Sequence, residues 1–153
     1  NHEMHIFQNN KNITSILRQE IIAKPASKLS SLEETRANLI SFQREIATDE
    51  GLVADGRDMG TVVFPNAGTK IFLIADPVVR AKRRFLELQN AGQEVNMRDL
   101  IEDIRLRDEA DRVREISPLI PAEDSIEVNS SNLSIKEVLE IVIKIYKENI
   151  KEV

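Results

Sequence analysis

Apolar residues follow two alternating patterns along this chain, namely short continuous runs and longer stretches with helical spacing. The continuous runs after Gly51 are 52–54 (LVA), 70–75 (KIFLIA) and 125–131 (SIEVNSS). Helical patterns separate these runs, and two of them lie between the second run and the third. Short apolar strands that alternate with helices are typical of a parallel sheet flanked by helices. The pattern therefore predicts an α/β fold.

Helical spacing of apolar residues covers five segments, which are 13–23, 31–47, 77–92, 96–115 and 134–150. We expect the first helix to end before Pro25, because proline disfavours a helical backbone in the residue that precedes it. Ser31 with Glu34 has the spacing of a capping box, in which each side chain bonds the backbone N–H of the other residue. Ser134 with Glu137 has the same spacing. These pairs predict where two of the helices begin.

The remaining elements carry simpler signals at their ends. Residues 2–10 alternate weakly and finish in polar residues, which predicts a short strand and a turn. Pro77 suits the first turn of its helix and Gly92 suits the end of that helix. Asn96, followed by Asp99, is the expected cap of the next helix.

The composition is that of one folded domain without cysteine chemistry. The chain has 153 residues, of which 41% are hydrophobic and 31% are charged, so it can build a core. The absence of cysteine excludes disulfides and thiolate metal sites, and it fits a cytoplasmic location. No apolar run is long enough to span a bilayer, so we expect a soluble protein without a membrane partner. We interpret His2 and His5 as a solvated pair and not as a metal site, because other ligands are absent nearby in the sequence.

Charge is distributed unevenly, and arginine is concentrated in one region. The net charge of −5 argues against a nucleic-acid polymer as partner, since proteins that bind a phosphate backbone usually carry a basic surface. Eight of the twelve arginines nevertheless lie between residues 80 and 114. A local group of arginines in an acidic protein indicates a small anionic ligand.

The segment 51–64 (GLVADGRDMGTVVF) joins an apolar run to charged residues that a plain turn does not need. Asp55, Arg57 and Asp58 follow directly after the predicted strand 52–54. In open parallel sheets, ligands bind beyond the carboxyl ends of the strands. The segment is therefore either part of a binding site or a corner in which an aspartate caps the next turn.

A second charged group lies on the helix predicted over 96–115. Arg107, Asp111 and Arg114 are four and three residues apart, which places them on one face of that helix. A neighbouring row consists of Arg105, Asp108 and Arg112. Such rows also occur on solvated helices that Asp–Arg pairs stabilise. The preference for arginine over lysine favours phosphate chemistry, because the planar guanidinium can bind phosphate oxygens in a bidentate manner.

Five motifs, taken in order, give the chain a resemblance to a known family. They are GLVADGRDMGTVVFP, KIFLIA, RAKRRFLELQ, IRLRDEADRVREISPLIPAEDSIEV and SSNLSIKEV. Together they resemble bacterial cytidylate kinase over about residues 13–145. The resemblance implies a P-loop NTPase fold of the nucleoside monophosphate kinase type. It also implies transfer of the γ-phosphoryl group of ATP to CMP or dCMP, with Mg²⁺.

The resemblance also implies a domain organisation. Residues 1–30 would form part of the inserted domain that binds the nucleoside monophosphate, and residues 31–153 would form the core α/β domain. About residues 80–116 of the core would contain the lid. The family suggests a monomer.

The resemblance implies that several residues bind CMP. Arg57 and Arg114 would hold its phosphate. Ser27, Arg36 and Asp58 would face the cytosine, where a carboxylate can accept from the exocyclic amine.

Further residues would contact the sugar or the transferring group. Arg107 and Asp111 would contact the sugar, and Arg83 would lie in the lid on the ATP side of the site. The implied catalytic residues, which would neutralise charge on the phosphoryl group, are Arg57, Arg83, Arg107 and Arg114. Arg18 is a weaker candidate in the inserted domain.

The chain departs from the family pattern in one respect. It contains no G-x-x-x-x-G-K-[ST] motif, which a kinase of this class needs to hold the ATP phosphates. Gly68 and Lys70 in NAGTKIF lack the required spacing. The chain therefore resembles the C-terminal two thirds of the family, with the acceptor site and the lid. We expect the isolated chain to be inactive toward CMP, and its unpaired strand edges to favour association.

Other functions also agree with these residues. One is a nucleotide-binding module that binds CMP without turning it over. Another is a structural α/β interaction domain. Within the enzyme class, the alternative is a kinase specific for uridylate or adenylate.

Overall fold

A computed structural model describes residues 5–17 and 19–150, without the side chains of residues 20, 23, 24 and 27. The interpretations of His2, of Arg18 and of the Ser27 side chain therefore lie outside the described residues. The chain divides into two compact units, Asn1–Thr48 and Asp49–Val153. The assignment of residues 1–30 to an inserted domain and of residues 80–116 to a lid stays a prediction.

The first unit begins with a small hairpin. Strands β1 (Phe7–Gln8) and β2 (Lys11–Asn12) pair antiparallel. The two residues between them, Asn9 and Asn10, have φ angles of 48° and 63°. Asparagine tolerates this left-handed backbone, which a two-residue hairpin turn requires. The predicted short strand and turn are confirmed as the first half of this hairpin.

Two helices follow the hairpin, α1 (Thr14–Leu17) and α2 (Glu20–Leu29). The prediction that the helix ends before Pro25 is wrong, because Pro25 lies inside α2. A proline in a helix removes the one hydrogen bond that its own nitrogen would have donated. The helix nevertheless continues, and at its end Ser30 N donates to Ala26 O (2.9 Å).

Helix α3 (Glu33–Glu45) completes the first unit. The predicted capping box of Ser31 and Glu34 is wrong. Leu32 is the N-cap residue of α3 and provides no side-chain hydrogen bond. Ser31 lies one residue earlier, in the turn after α2, where its hydroxyl donates to Lys28 O (2.8 Å). The serine therefore stabilises the end of one helix instead of the start of the next.

The second unit contains a pair of parallel strands, β3 (Ile71–Ile74) and β4 (Ile126–Asn129). Their register places Ile71 opposite Ile126 and Ile74 opposite Asn129. Two of the three predicted strands are therefore confirmed, as is the parallel arrangement typical of an α/β fold.

The third predicted strand, 52–54, is wrong for this structure. These residues form no regular strand, and Val53 is 99% exposed. A strand needs a neighbour that accepts its backbone hydrogen bonds. Among the described residues, β3 pairs with β4 alone, so the apolar run at 52–54 lacks such a neighbour.

The second unit also has three longer helices. Helices α4 (Pro77–Asn90) and α5 (Met97–Val113) lie between the two strands in the sequence, and α6 (Ile135–Ile150) follows β4. All three predictions are confirmed. Pro77 is the first residue of α4, and Gly92 follows its end with a left-handed φ of 73°. Within the described part of the chain, no helix is both long and apolar enough to cross a membrane.

The caps of these helices are formed by short polar side chains. The Asp76 carboxylate accepts from Val78 N (2.7 Å) at the start of α4, a cap that the sequence patterns did not predict. The predicted cap Asn96 accepts from Arg98 N (2.8 Å). The predicted box before α6 also forms, since Ser134 N donates to a Glu137 oxygen (2.8 Å) and Glu137 N donates to Ser134 Oγ (3.3 Å).

Helices α4 and α5 pack on each other through an apolar cluster. Its buried members are Ala81, Leu88 and Leu100. Partly buried residues that pack against them are Phe85, Val95, Met97, Ile101 and Ile104. The members from α5 all lie in its first half, so the apolar packing holds that half of the helix.

We expect Leu88→Ala to lower the free energy of unfolding by about 2–5 kcal/mol, because it removes a buried side chain and leaves a cavity. Leu88 is 2% exposed, whereas Leu86 of the same helix is 59% exposed. Leu86→Ala is therefore the matched control and should change stability by roughly 0.5 kcal/mol or less. Urea unfolding followed by circular dichroism measures both. Equal losses in the two variants would contradict this packing.

Candidate anion-binding site

The charged segment after residue 54 is held by one tight turn. A single π turn, Met59–Val63, follows Asp58 directly. The backbone carbonyl of Asp58 accepts from Val62 N (2.9 Å) and from Val63 N (3.2 Å). Asp58 is buried, while Arg57 beside it is partly exposed. The turn therefore fixes the backbone from which both side chains project.

Lys70 joins this turn to the beginning of β3. A side chain at Gly60 would bring its Cβ to 3.3 Å from Lys70 Cδ, so the stem of the lysine lies against the glycine. Lys70 Nζ donates to both carboxylate oxygens of Asp124 (2.8 and 2.7 Å) and to Pro65 O (2.5 Å). These hydrogen bonds from Lys70 hold the pKa of Asp124 below its usual range. The small residue at 60 thus permits a close contact between the turn and the sheet.

Asp111 is the centre of the site. Only 3% of this residue is exposed, and its two oxygens bind different arginines. Oδ2 forms an ion pair with Arg57, and Oδ1 lies 3.3 Å from a terminal nitrogen of Arg114. Arg114 Nε also donates to Ser117 O (2.5 Å). One buried carboxylate therefore holds two guanidinium groups that are distant in the sequence.

The electrostatics of the site are dominated by arginine. Burial lowers the pKa of Arg57, the Asp111 carboxylate opposes this change, and the nearby charge of Arg107 adds to it. An arginine in a protein nevertheless stays protonated. The charges of Arg107 and Arg114 both act on Arg57, which is itself paired with Asp111. Three arginines and two aspartates, Asp108 and Asp111, thus interact at this site, and the guanidinium donors that the carboxylates leave unused can bind an anion.

The structure therefore brings together most of the predicted site residues of the second unit. Arg57, Arg107, Asp111 and Arg114 interact directly or through their charges. Asp58 lies next to Arg57 in the sequence and is buried. The predicted helical spacing is confirmed for Arg107 and Asp111, which both lie in α5, whereas Arg114 is the C-cap residue just after the helix and has an extended backbone.

Arg83 has another environment. Its guanidinium donates to Ser130 O (2.6 Å), to Ser130 Oγ (3.3 Å) and to Leu133 O (3.4 Å). In this structure Arg83 therefore holds the segment that follows β4. Its expected place on the ATP side stays a prediction.

Two predicted residues belong to the first unit. Arg36 donates to Ser30 O (3.0 Å), which connects α3 to the turn before it. The side chain of Ser27 is outside the described residues. Their contact with a cytosine stays a prediction.

The sequence patterns missed an ion pair between α4 and α5. The guanidinium of Arg80 binds the Asp108 carboxylate in a bidentate manner, with one N–O distance of 3.0 Å. Arg80 Nε also donates to Ala75 O (3.1 Å). Hydrogen bonding to Asp108 raises the pKa of Arg80. Helical spacing cannot identify a pair of residues on two different helices. The short connection between α4 and α5 is the signal that could have identified this pair, because it predicts that the two helices pack antiparallel.

Neither Mg²⁺ nor ATP is matched by the residues at this site. Among the described residues, no group of three or more His, Cys, Asp or Glu side chains is placed to hold a metal ion. The carboxylate at the centre, Asp111, is already bound to two arginines. We therefore assign no residue of the described site to Mg²⁺ or to the ATP phosphates.

Comparisons with known proteins give one consistent family. Residues 1–148 match the family model described as cytidylate kinase. The chain is 46% identical over 142 residues to a cytidylate kinase of Stutzerimonas stutzeri (strain A1501), covering 93% of the chain and 62% of the relative. It is 42% identical over 146 residues to a cytidylate kinase of Caldicellulosiruptor bescii, covering 95% and 65%. For a cytidylate kinase of Pasteurella multocida (strain Pm70), identity is 45% over 137 residues, covering 90% and 60%.

The chain thus spans about three fifths of the length of the curated relatives that it matches.

We expect Asp111→Asn to lower the free energy of unfolding by about 1–3 kcal/mol, because a neutral amide leaves Arg57 and Arg114 without a balancing charge. Glu109→Gln removes one carboxylate from an exposed position on the same helix and is the matched control. Urea unfolding at pH 7 measures both variants. The role given to Asp111 would be wrong if both variants kept the stability of the unmodified chain.

Proposed function

The chain belongs to the cytidylate kinase family, and we propose that it provides the acceptor site of an enzyme that phosphorylates CMP or dCMP. The phosphoryl donor in this proposal is ATP, with Mg²⁺, and the fold is that of the nucleoside monophosphate kinases. Among the described residues, this proposal assigns only Arg83 to the ATP side. The family also supports a monomer as the active form.

The observation that carries the proposal is the arrangement of Arg57 and Arg114 on Asp111. A guanidinium has five N–H donors, and each ion pair with Asp111 uses only part of them. The remaining donors can bind the oxygens of a phosphate monoester in a bidentate manner. Because Asp111 holds both arginines in place before the ligand arrives, little side-chain ordering is left for the binding step.

The chemistry asked of these residues is electrostatic. The acceptor is a phosphate oxygen of CMP, and a phosphate monoester with a second pKa near 6 is mostly ionised at pH 7. The attacking oxygen therefore needs no general base. What opposes the reaction is repulsion between two groups of negative oxygens. Arg57, Arg107 and Arg114 reduce this repulsion and orient the acceptor. Electrostatic stabilisation and positioning of this kind are the main sources of catalysis in phosphoryl transfer.

The cytosine and the sugar of CMP are assigned to residues near the arginines that bind the phosphate. Asp58 accepts a hydrogen bond from the exocyclic amine of cytosine. Arg107 and Asp111 contact the sugar. Arg83 acts from the lid on the ATP side. The burial of Asp58 supports its assignment, because a carboxylate in a dry pocket discriminates strongly between a donor and an acceptor on the base.

We expect Arg57→Ala to weaken binding of CMP roughly 10- to 100-fold, because it removes charge-assisted hydrogen bonds to the phosphate. Isothermal titration of the chain with CMP measures this, after circular dichroism has shown that each variant is folded. Arg98→Ala removes an arginine from the first turn of α5 and should leave the affinity unchanged. Equal affinities of the folded Arg57→Ala variant and the unmodified chain would refute the phosphate site.

We expect Asp58→Ala to reduce the preference for CMP over UMP to about the same affinity for both, because uracil lacks the amine that the carboxylate recognises. Titrations with CMP, UMP and AMP measure the preference. Asp55→Ala, at an exposed position three residues earlier, is the control and should keep it. A preference for UMP or AMP in the unmodified chain would instead identify a different nucleoside monophosphate kinase.

A further inference from the structure

We propose that Arg80 is a positioning residue for the acceptor site, acting through Asp108 on the second half of α5. The inference rests on the proposed function, since the segment that Arg80 holds carries Arg107, Asp111 and Arg114. Arg80 itself belongs to α4 and is not among the residues assigned to the nucleotide.

Arg80 connects three elements of the second unit. Its backbone lies in the first turn of α4, its Nε donates to Ala75 O just after β3, and its two terminal nitrogens bind the carboxylate of Asp108 on α5. About a third of the Arg80 side chain is exposed, and Asp108 is more buried than that. A bidentate pair of this kind fixes orientation as well as distance. The end of the parallel sheet is thereby connected to α5 through one side chain.

The second half of α5 has little other support from apolar packing. The apolar cluster between α4 and α5 takes no residue of α5 beyond Ile104. Further along the helix, Leu106 and Val113 are both exposed. The site arginines of α5 therefore lie beyond the apolar contacts that hold the helix. Asp108 is in the middle of this segment and attaches it to Arg80.

The position of Asp108 also matters for charge. The Asp108 carboxylate is close enough to Arg57 for the two charges to attract each other. If Arg80 did not pair with it, this carboxylate would add negative charge beside a site that must bind a phosphate. Arg80 therefore keeps α5 in place and balances a carboxylate that would otherwise oppose the ligand.

A double-mutant cycle on CMP affinity tests this role. We expect Arg80→Met to weaken CMP binding roughly tenfold, and Asp108→Asn to weaken it less, because Asp108→Asn also removes the carboxylate that would oppose the ligand; the double variant should be weakened by about the same factor as Asp108→Asn alone. Arg80→Lys keeps the charge without the bidentate geometry and should recover part of the loss. Lys82→Met removes a cation from an exposed position two residues away on α4, and it should bind CMP as the unmodified chain does.

Stability is measured on the same proteins by urea unfolding. A merely structural role would lower stability and leave the CMP affinity of the folded protein unchanged, and that result would overturn the proposal. Strictly additive losses in the double variant would overturn it as well, because they would show that Arg80 and Asp108 act independently.

Hydrogen exchange separates this inference from the proposed function. With no nucleotide present, amides of residues 105–114 should exchange faster in Arg80→Met than in Lys82→Met, because their attachment is lost. If the unmodified chain binds no CMP, the proposed function fails, and the exchange rates still decide whether Arg80 positions α5. Equal exchange in the two variants would contradict the positioning role even if CMP binds.

Discussion

A buried carboxylate must be balanced by positive charge, and the second unit satisfies this requirement at Asp111 with two arginines. Removing a charge from water costs several kcal/mol, and an ion pair recovers that cost only with good geometry. Arg57 comes from the loop before the π turn, and Arg114 comes from the end of α5. The need to balance one carboxylate thus brings together two segments that are far apart in the sequence. Stability alone does not explain such an arrangement, since apolar residues would fill the same space at lower cost.

The rest of the second unit places these two segments. The parallel pair β3 and β4 provides a fixed edge, to which Lys70 attaches the turn and Arg80 attaches α5. Lys70 and Arg80 lie at opposite ends of β3, one just before the strand and the other in the helix after it. Both residues have long cationic side chains whose charged ends bind carboxylates, Lys70 that of Asp124 and Arg80 that of Asp108. The acceptor site is therefore supported from both ends of a single strand.

Much of this fold follows from local sequence signals. The caps Asn96 and Ser134 act within one helical turn of their own position, so their spacing predicts them well. The failures concern longer-range effects. Ser31 has the right spacing for a cap but serves the preceding helix instead, and residues 52–54 have a strand's composition but no neighbour to pair with. Composition reports what a segment can do; the surrounding chain decides whether it does so.

The site shows the same division between local and distant effects. The shared face of Arg107 and Asp111 was predictable, because it depends only on helical geometry within α5, whereas Arg114 lies just after the end of the helix. The pairing of Asp111 with Arg57 joins residues far apart in the chain, and no periodicity encodes it.

The two halves of α5 are attached by different interactions, so a change in ionic strength affects them differently. The first half is held by the apolar cluster, whose contribution ionic strength hardly changes, whereas the second half is held by ion pairs. At physiological ionic strength the screening length is about 8 Å, but pairs partly shielded from water are screened less than exposed ones. The burial of Asp111 and the partial burial of Asp108 thus make the site end of the helix tolerant of salt at physiological concentration. Concentrated salt would weaken the ion pairs of the second half of α5 first and leave the apolar cluster between α4 and α5 intact.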